Sequence, residues 1–210
     1  MKVDTQTVNN NILNTIDKQN AKDRLLEAGI SLFAEKGYAS TSVREITARA
    51  GVTKPVLYYY FKNKEGLFRA IMDTAAELQQ ALLKEILETP GKTLGRFIYF
   101  YRRLYEEVLK NKDFFRMINN LIFGPPQGAP DYDIEQYHRR TVNAIKSIYM
   151  DGIVLKEVNE ADPEAVAMLV VGIMDFCFHF DYIHPELMDL DRPERLLTLA
   201  FQGLARREGG

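Results

Sequence analysis

Thr41-Ser-Val-Arg-Glu-Ile-Thr-Ala-Arg-Ala-Gly51-Val-Thr-Lys-Pro-Val-Leu-Tyr-Tyr-Tyr60 is the stretch that decides the fold. Its apolar spacing predicts two short helices, over 43–50 and 54–60, joined by Gly51-Val52-Thr53. Ser42 and Glu45 stand at capping-box spacing, where the hydroxyl takes a backbone N–H and the carboxylate reaches back. Gly51 supplies the positive φ that the corner requires. Thr53 is placed to cap the second helix, and Pro55 sits in its first turn, where a missing N–H costs nothing. Val43, Ile46, Ala50, Val52 and Leu57 are spaced to point inward, over Leu26, Phe33 and Phe61. Lys54, Pro55, Val56, Tyr58, Tyr59 and Tyr60 are left on the outer face. Three consecutive helical positions span about 200°, so the three tyrosines cannot all enter one core.

Outward from this stretch the chain reads almost entirely as helix. One helix precedes it over 20–36, ended by Gly37. Others are expected over 64–88, 92–111, 113–123 with Asp113 as cap, 131–151, 163–182 and 192–207, about nine in all. Gly124–Pro130 is a loop by composition. The expected organisation is a flexible arm over 1–19, a helix-turn-helix domain over 20–64 and a helical body over 65–210.

Charge follows the same division. Residues 1–19 are neutral, residues 20–64 carry +4 and residues 65–210 carry −6, within a net charge of −2. A basic head on an acidic body points the head at a polyanion. The single cysteine, Cys177, excludes an intrachain disulfide framework and suits a reducing cytoplasm. The longest apolar run, Ala165–Met174, is half of what a bilayer span requires, so no membrane partner is expected.

The stretch resembles the DNA-binding domain of the TetR family of bacterial transcriptional regulators. The resemblance covers about 22–70 and is carried by Leu26, Ala28, Leu32 through Tyr38, Thr41 through Ile46, Ala50 through Lys54, Leu57-Tyr58, Phe61 and Lys64-Glu65 to Leu67. Gly29 and Thr47 stand where that family usually has alanine, and Pro55 where glycine is commonest. It implies a recognition helix in the major groove of double-stranded DNA, at a pseudo-palindromic operator. Lys54 would then donate to guanine or phosphate, and Pro55 and Val56 would meet a thymine methyl. Tyr58 and Tyr60 would bond phosphates, and Tyr59 either group. Lys64 would add charge at a helix N-terminus, and Thr41, Ser42 and Arg44 would hold the backbone.

The body carries no comparable pattern. The helices expected over 163–182 and 192–207 are apolar nearly all round, which requires burial on every side. The resemblance implies a homodimer through the last two helices, for which Leu169, Ile173, Phe176, Phe180, Leu197, Phe201 and Leu204 are the expected contacts. Aromatic residues crowd the middle helices, in the manner of a small-molecule pocket or of a plain core. Phe97, Tyr101, Tyr105, Phe115, Ile118, Phe123, His138, Asp175 and His179 are the expected lining for an apolar or aromatic effector. Asp175 and His179, four apart in an apolar helix, either pair with one another or read a polar group of that effector.

Enzyme signatures fail. Gly91-Lys92-Thr93 matches the end of a P-loop, but Ile86 stands where the first glycine is required. Glu135-x-x-His138 is half of a di-iron motif, and three histidines make a poor metal site. No catalytic residue, metal or cofactor is expected. The resulting expectation is an all-α, cytoplasmic, ligand-released repressor. The alternative is a helical ligand-binding or interaction module without DNA binding.

Overall fold

The computed structural model describes residues 5–124 and 128–203, and those residues are helical with short connections. The elements are α1 (Thr5–Lys36), α2 (Val43–Arg49), α3 (Lys54–Phe61), α4 (Lys64–Glu88), α5 (Thr93–Lys110), α6 (Lys112–Phe123), α7 (Glu135–Val154), α8 (Pro163–Ile183) and α9 (Arg192–Gln202), with a 3-10 turn at Pro185–Leu187. The expected all-α class is what is found. Helix α1 starts at Thr5, where a flexible arm was expected through residue 19, because no proline or glycine interrupts the chain before Gly29. Helix α6 begins at Lys112, capped in position by Asn111 without a side-chain bond, so Asp113 is not its cap.

The chain divides into two compact units, and not at the expected residue 64. The first comprises the chain up to Ala76 with Asn111–Tyr132; the second comprises Glu77–Lys110 and the chain from Asp133 onward. Helix α4 is therefore shared, and α6 belongs with the N-terminal helices.

In the first unit, Leu25, Leu32, Phe33, Ile46, Leu57, Phe61, Leu67 and Met72 are buried together with Met117 from α6. Each such side chain contributes about 1.5–3 kcal/mol by leaving water. Phe33, Tyr38 and Phe68 meet with ring centroids 5.3–6.0 Å apart, which ties α4 to the end of α1. Asn120 Nδ2 of α6 donates to Ala34 O at 3.3 Å, satisfying a carbonyl of the last turn of α1. Gly29 has a packing reason: a Cβ there would lie 3.0 Å from Leu67 Cδ2 and 3.1 Å from Ile71 Cδ1.

In the second unit, α5, α7, α8 and α9 enclose Phe97, Phe100, Tyr101, Ile145, Ile148, Ala167, Val170, Cys177 and Leu197. At Gly152 a Cβ would meet Thr93 Oγ1 at 2.1 Å, so glycine lets α7 approach the start of α5. Helix α8 is long and apolar enough to cross a membrane by length and composition, yet Ala167, Val170, Val171, Met174 and Cys177 form a face buried in this core. Its other flank leaves Met168, Leu169 and Phe176 exposed.

The expected dimer contacts separate accordingly. Leu169 and Phe176 are exposed, and Ile173 and Phe180 are half-buried. Leu197 is 0% exposed inside its own unit, and Phe201 packs on Phe97 at 5.4 Å. Leu197 is corrected from an intersubunit to an intrachain contact, because that side of α9 is taken up within the second unit, while Phe201 stays half-exposed. Leu204 lies outside the described residues, as does the side chain of Phe123.

Candidate nucleic-acid interface

Helices of seven and eight residues are too short to persist alone, so their positions depend on what clamps them. The capping box of α2 is complete. Glu45 N donates to Ser42 Oγ at 3.3 Å, while Ser42 N and Ser42 Oγ donate to Glu45 Oε2 at 2.9 and 2.7 Å. Lys36 adds an ion pair to the other Glu45 oxygen. That ammonium, with the Ser42 donors, holds the Glu45 carboxyl down at about 2. Arg49 forks onto Glu35 at 2.6 and 2.9 Å and donates to Ser31 Oγ at 2.9 Å. Arg24 Nε donates to Ala50 O at 3.0 Å, fastening α1 to the corner. Gly51 takes φ 64°, as the corner requires.

With α2 fixed, α3 buries Leu57 and Phe61 and turns its other side outward. Tyr58 is 49% and Tyr59 72% exposed, and Lys54 and Pro55 are exposed beside them. Val56 and Tyr60 are half-buried, with the Tyr60 ring edge-on to Tyr59 at 4.9 Å. An open groove of about 590 Å³ runs beside this face, lined by Arg24, Val52, Pro55, Val56 and Tyr59 among others. Thr53 stands at the N-cap of α3 but makes no side-chain cap bond and is exposed, so its hydroxyl belongs to the outward face. Thr53 thus takes the N-cap position its sequence context predicts, without the side-chain bond.

Two expected contacts are placed otherwise. Thr41 is 2% exposed, and its hydroxyl donates to Gly37 O at 2.8 Å, so it shapes the loop before α2 rather than facing a ligand. Lys64 Nζ donates to Tyr38 O and Thr41 O, both at 2.8 Å, and lies 4.1 Å over the Tyr38 ring. Partial burial pulls its ammonium below the usual lysine range. It fastens the α1–α2 loop to α4, with one N–H left for any outside acceptor. Ser42 is exposed but engaged in its cap, and Arg44 is exposed.

The match to known proteins falls on this stretch. The family model described as bacterial regulatory proteins of the tetR family matches residues 25–71. Residues 25–71 belong to the TetR family. The uncharacterized HTH-type transcriptional regulator YhgD of Bacillus subtilis is 26% identical over 174 residues, 79% of this chain and 87% of that protein. The HTH-type transcriptional regulator AcrR of Shigella flexneri is 31% identical over 130 residues, 60% of this chain and 59% of AcrR. The chain spans about half the length of two further curated Bacillus subtilis regulators that it matches. The TetR-family fold extends beyond the matched stretch: the structure of PfmR from Thermus thermophilus superposes with a TM-score of 0.70 over 88% of this chain and 97% of PfmR, at 23% identity.

In the second unit, Phe97, Tyr101 and Tyr105 are buried, while His138, Asp175 and His179 are accessible. His138 from α7 contributes a charge near Asp175 that favours its ionised form. Although Asp175 reaches water, desolvation by the protein packed around it is the larger effect and raises its carboxyl above the usual range. Phe115 and Ile118 are half-buried on α6, in the first unit. Among the described residues no three His, Cys, Asp or Glu side chains gather as a metal-binding group.

Proposed function

We propose that this chain is a cytoplasmic, homodimeric transcriptional regulator that occupies a pseudo-palindromic operator and leaves it when a small molecule binds the second unit. The observation that carries the reading is the outward face of α3, where Lys54, Pro55, Tyr58 and Tyr59 project from a helix clamped on its other side. Lys54 reads a base edge, Tyr58 and Tyr59 with Arg44 and Thr53 hold phosphates, and Lys64 supports the loop behind them. One short helix reads too few base pairs, so two heads are needed, entering major grooves about 34–36 Å apart or a multiple of that. The exposed flank of α8, with Leu169 and Phe176, supports pairing of two copies. An effector shifts the operator equilibrium only by its differential affinity for the two states, typically about 1–3 kcal/mol. The domain boundary that serves this function is the one within α4 at Ala76.

The test is fluorescence anisotropy with duplexes tiled across the DNA upstream of the chain's own coding region. One duplex is expected to bind at least a hundredfold more tightly than the others. Lys54→Ala should relax base preference at one position per half-site, and Tyr58→Phe should weaken all duplexes alike. Uniform weak binding to every duplex would favour the helical module without operator recognition.

A further inference from the structure

The turn between α3 and α4 holds a lysine in a backbone conformation that its side chain disfavours. Lys62 takes φ 65° and ψ −42°. At positive φ a Cβ crowds the following carbonyl, so glycine or asparagine usually stands in such a place. Across Lys62, Asn63 N donates to Phe61 O at 2.7 Å, closing a three-residue γ-turn of the strained hand.

The residues around Lys62 impose this geometry. Phe61 is buried and Lys62 N donates to Tyr58 O at 3.0 Å, so α3 fixes the turn from one side. From the other side, Asn63 Oδ1 accepts Gly66 N at 2.7 Å and Asn63 O accepts Leu67 N at 3.2 Å. The Phe61 carbonyl oxygen lies 1.9 Å from where a Cβ on residue 66 would stand, and glycine there leaves it room. Each neighbour agrees with the turn, and Lys62 is the residue at odds with it. Strain that the surroundings over-determine in this way gathers at sites of function.

Among the described residues, nothing engages the Lys62 side chain, which is exposed. Glu65, the acid nearest in sequence, is paired with Arg69 at 2.9 Å. Lys64 directs its ammonium to the Tyr38 and Thr41 carbonyls. Lys62 is left as an uncompensated cation two residues past the tyrosines of α3, on a head that carries +4. A lysine where glycine would suit the backbone better is accounted for by an anion outside the chain.

We propose that Lys62 contacts a DNA phosphate, carried on the strained turn at the end of α3, and that the fold is less stable for having it there. This rests on the operator reading above and deepens it: the free cation expected at Lys64 is supplied by Lys62. A phosphate contact sets register and leaves base preference alone.

Three substitutions separate charge from strain. Lys62→Gln removes the charge and keeps the strain, Lys62→Gly removes both, and Lys62→Arg keeps both. Each full-length variant is titrated by anisotropy with the preferred duplex and with an unrelated one across a salt series, and is melted without DNA by circular dichroism. Lys62→Gln and Lys62→Gly are expected to weaken both duplexes alike, about tenfold at low salt. They should also lower the slope of log affinity against log salt by about 0.9 for each Lys62 in the complex. Lys62→Arg should restore the affinity and the slope. Lys62→Gly alone should raise the melting midpoint, by about 2–4 °C. Undiminished affinity and slope in Lys62→Gln would overturn the contact, as would a loss in Lys62→Arg equal to that in Lys62→Gln. Altered base preference with an unaltered slope would overturn phosphate as the target. An unchanged or lowered midpoint in Lys62→Gly would overturn the claim that the turn is strained for this contact. A wild-type chain that prefers no duplex would sink the operator reading, while the slope on the unrelated duplex still decides the role of Lys62.

Discussion

In the first unit, directional bonds do the positioning. Arg49 grips Glu35 with both arms, Arg24 holds the Ala50 carbonyl, Lys64 spans two loop carbonyls and Ser42 and Glu45 cap α2 reciprocally. In the second unit, helices of 18–21 residues lie on a continuous core of aromatic and aliphatic side chains, with polar ties such as Thr93 to Glu157 at its edges. The difference follows from what each must do. A helix of eight residues that is to read base edges, as proposed for α3, has to be held to within a fraction of an ångström, and directional bonds confer that. A core made where long helices pack together can be filled by many combinations of apolar side chains of similar volume. The head is therefore tied to particular residues, and the body to a total of buried surface.

The contrast is tested most severely at Gly66, where a Cβ would stand 1.9 Å from the Phe61 carbonyl oxygen. Backbone cannot yield there as a side-chain tip can. Gly66→Ala is expected to destabilise the first unit by about 4 kcal/mol and to abolish operator binding. Urea unfolding followed by circular dichroism, with anisotropy on the same samples, would show it; an unchanged midpoint would mean that the turn between α3 and α4 is not rigid.

A charge on the exposed flank of α8 probes the body without touching its own core. Phe176 is 58% exposed, and Phe176→Glu should raise the dimer dissociation constant at least a hundredfold, about 2.7 kcal/mol, with the protomer still folded. Sedimentation velocity across a concentration series decides this, and a dimer that survives would move the pairing surface elsewhere. Phe201→Glu should act differently: it removes packing on Phe97 and should lower thermal stability rather than only the association.

The smallest effect sharpens the comparison at the cap. Ser42→Ala should cost about 1 kcal/mol. Glu45, whose folded carboxyl is held near 2 against an ordinary 4.5, contributes stability that is complete above about pH 4.5 and lost as pH falls toward 2. Glu45→Gln should flatten the acid limb of the unfolding midpoint in that window. An identical acid limb in the variant would show that the ion pair with Lys36 does nothing for the fold.

Helix-turn-helix geometry could be read from residues because it is settled within a few positions. A capping box is complete within four residues, Gly51 is needed because the corner turns there, and period 3.6 puts Leu57 and Phe61 on one side and Tyr58 and Tyr59 on the other. The departures at Gly29 and Thr47 were visible as letters but not as contacts. Only the packed structure shows that Leu67 and Ile71 leave no room at Gly29, and that the Thr47 hydroxyl bonds back to Val43 and Arg44 carbonyls.

The chain by itself determined the helices, the corner between α2 and α3 and the outward tyrosines, since each depends on neighbours within about one turn. Tertiary structure alone decided that Lys64 fastens a loop 23–26 residues away, that Thr41 is enclosed, that α6 joins the head and that Leu197 serves its own protomer. Periodicity marks which side of a helix is apolar. It carries no information about which partner that side meets, because the partner comes from distant parts of the chain and is selected by shape and volume.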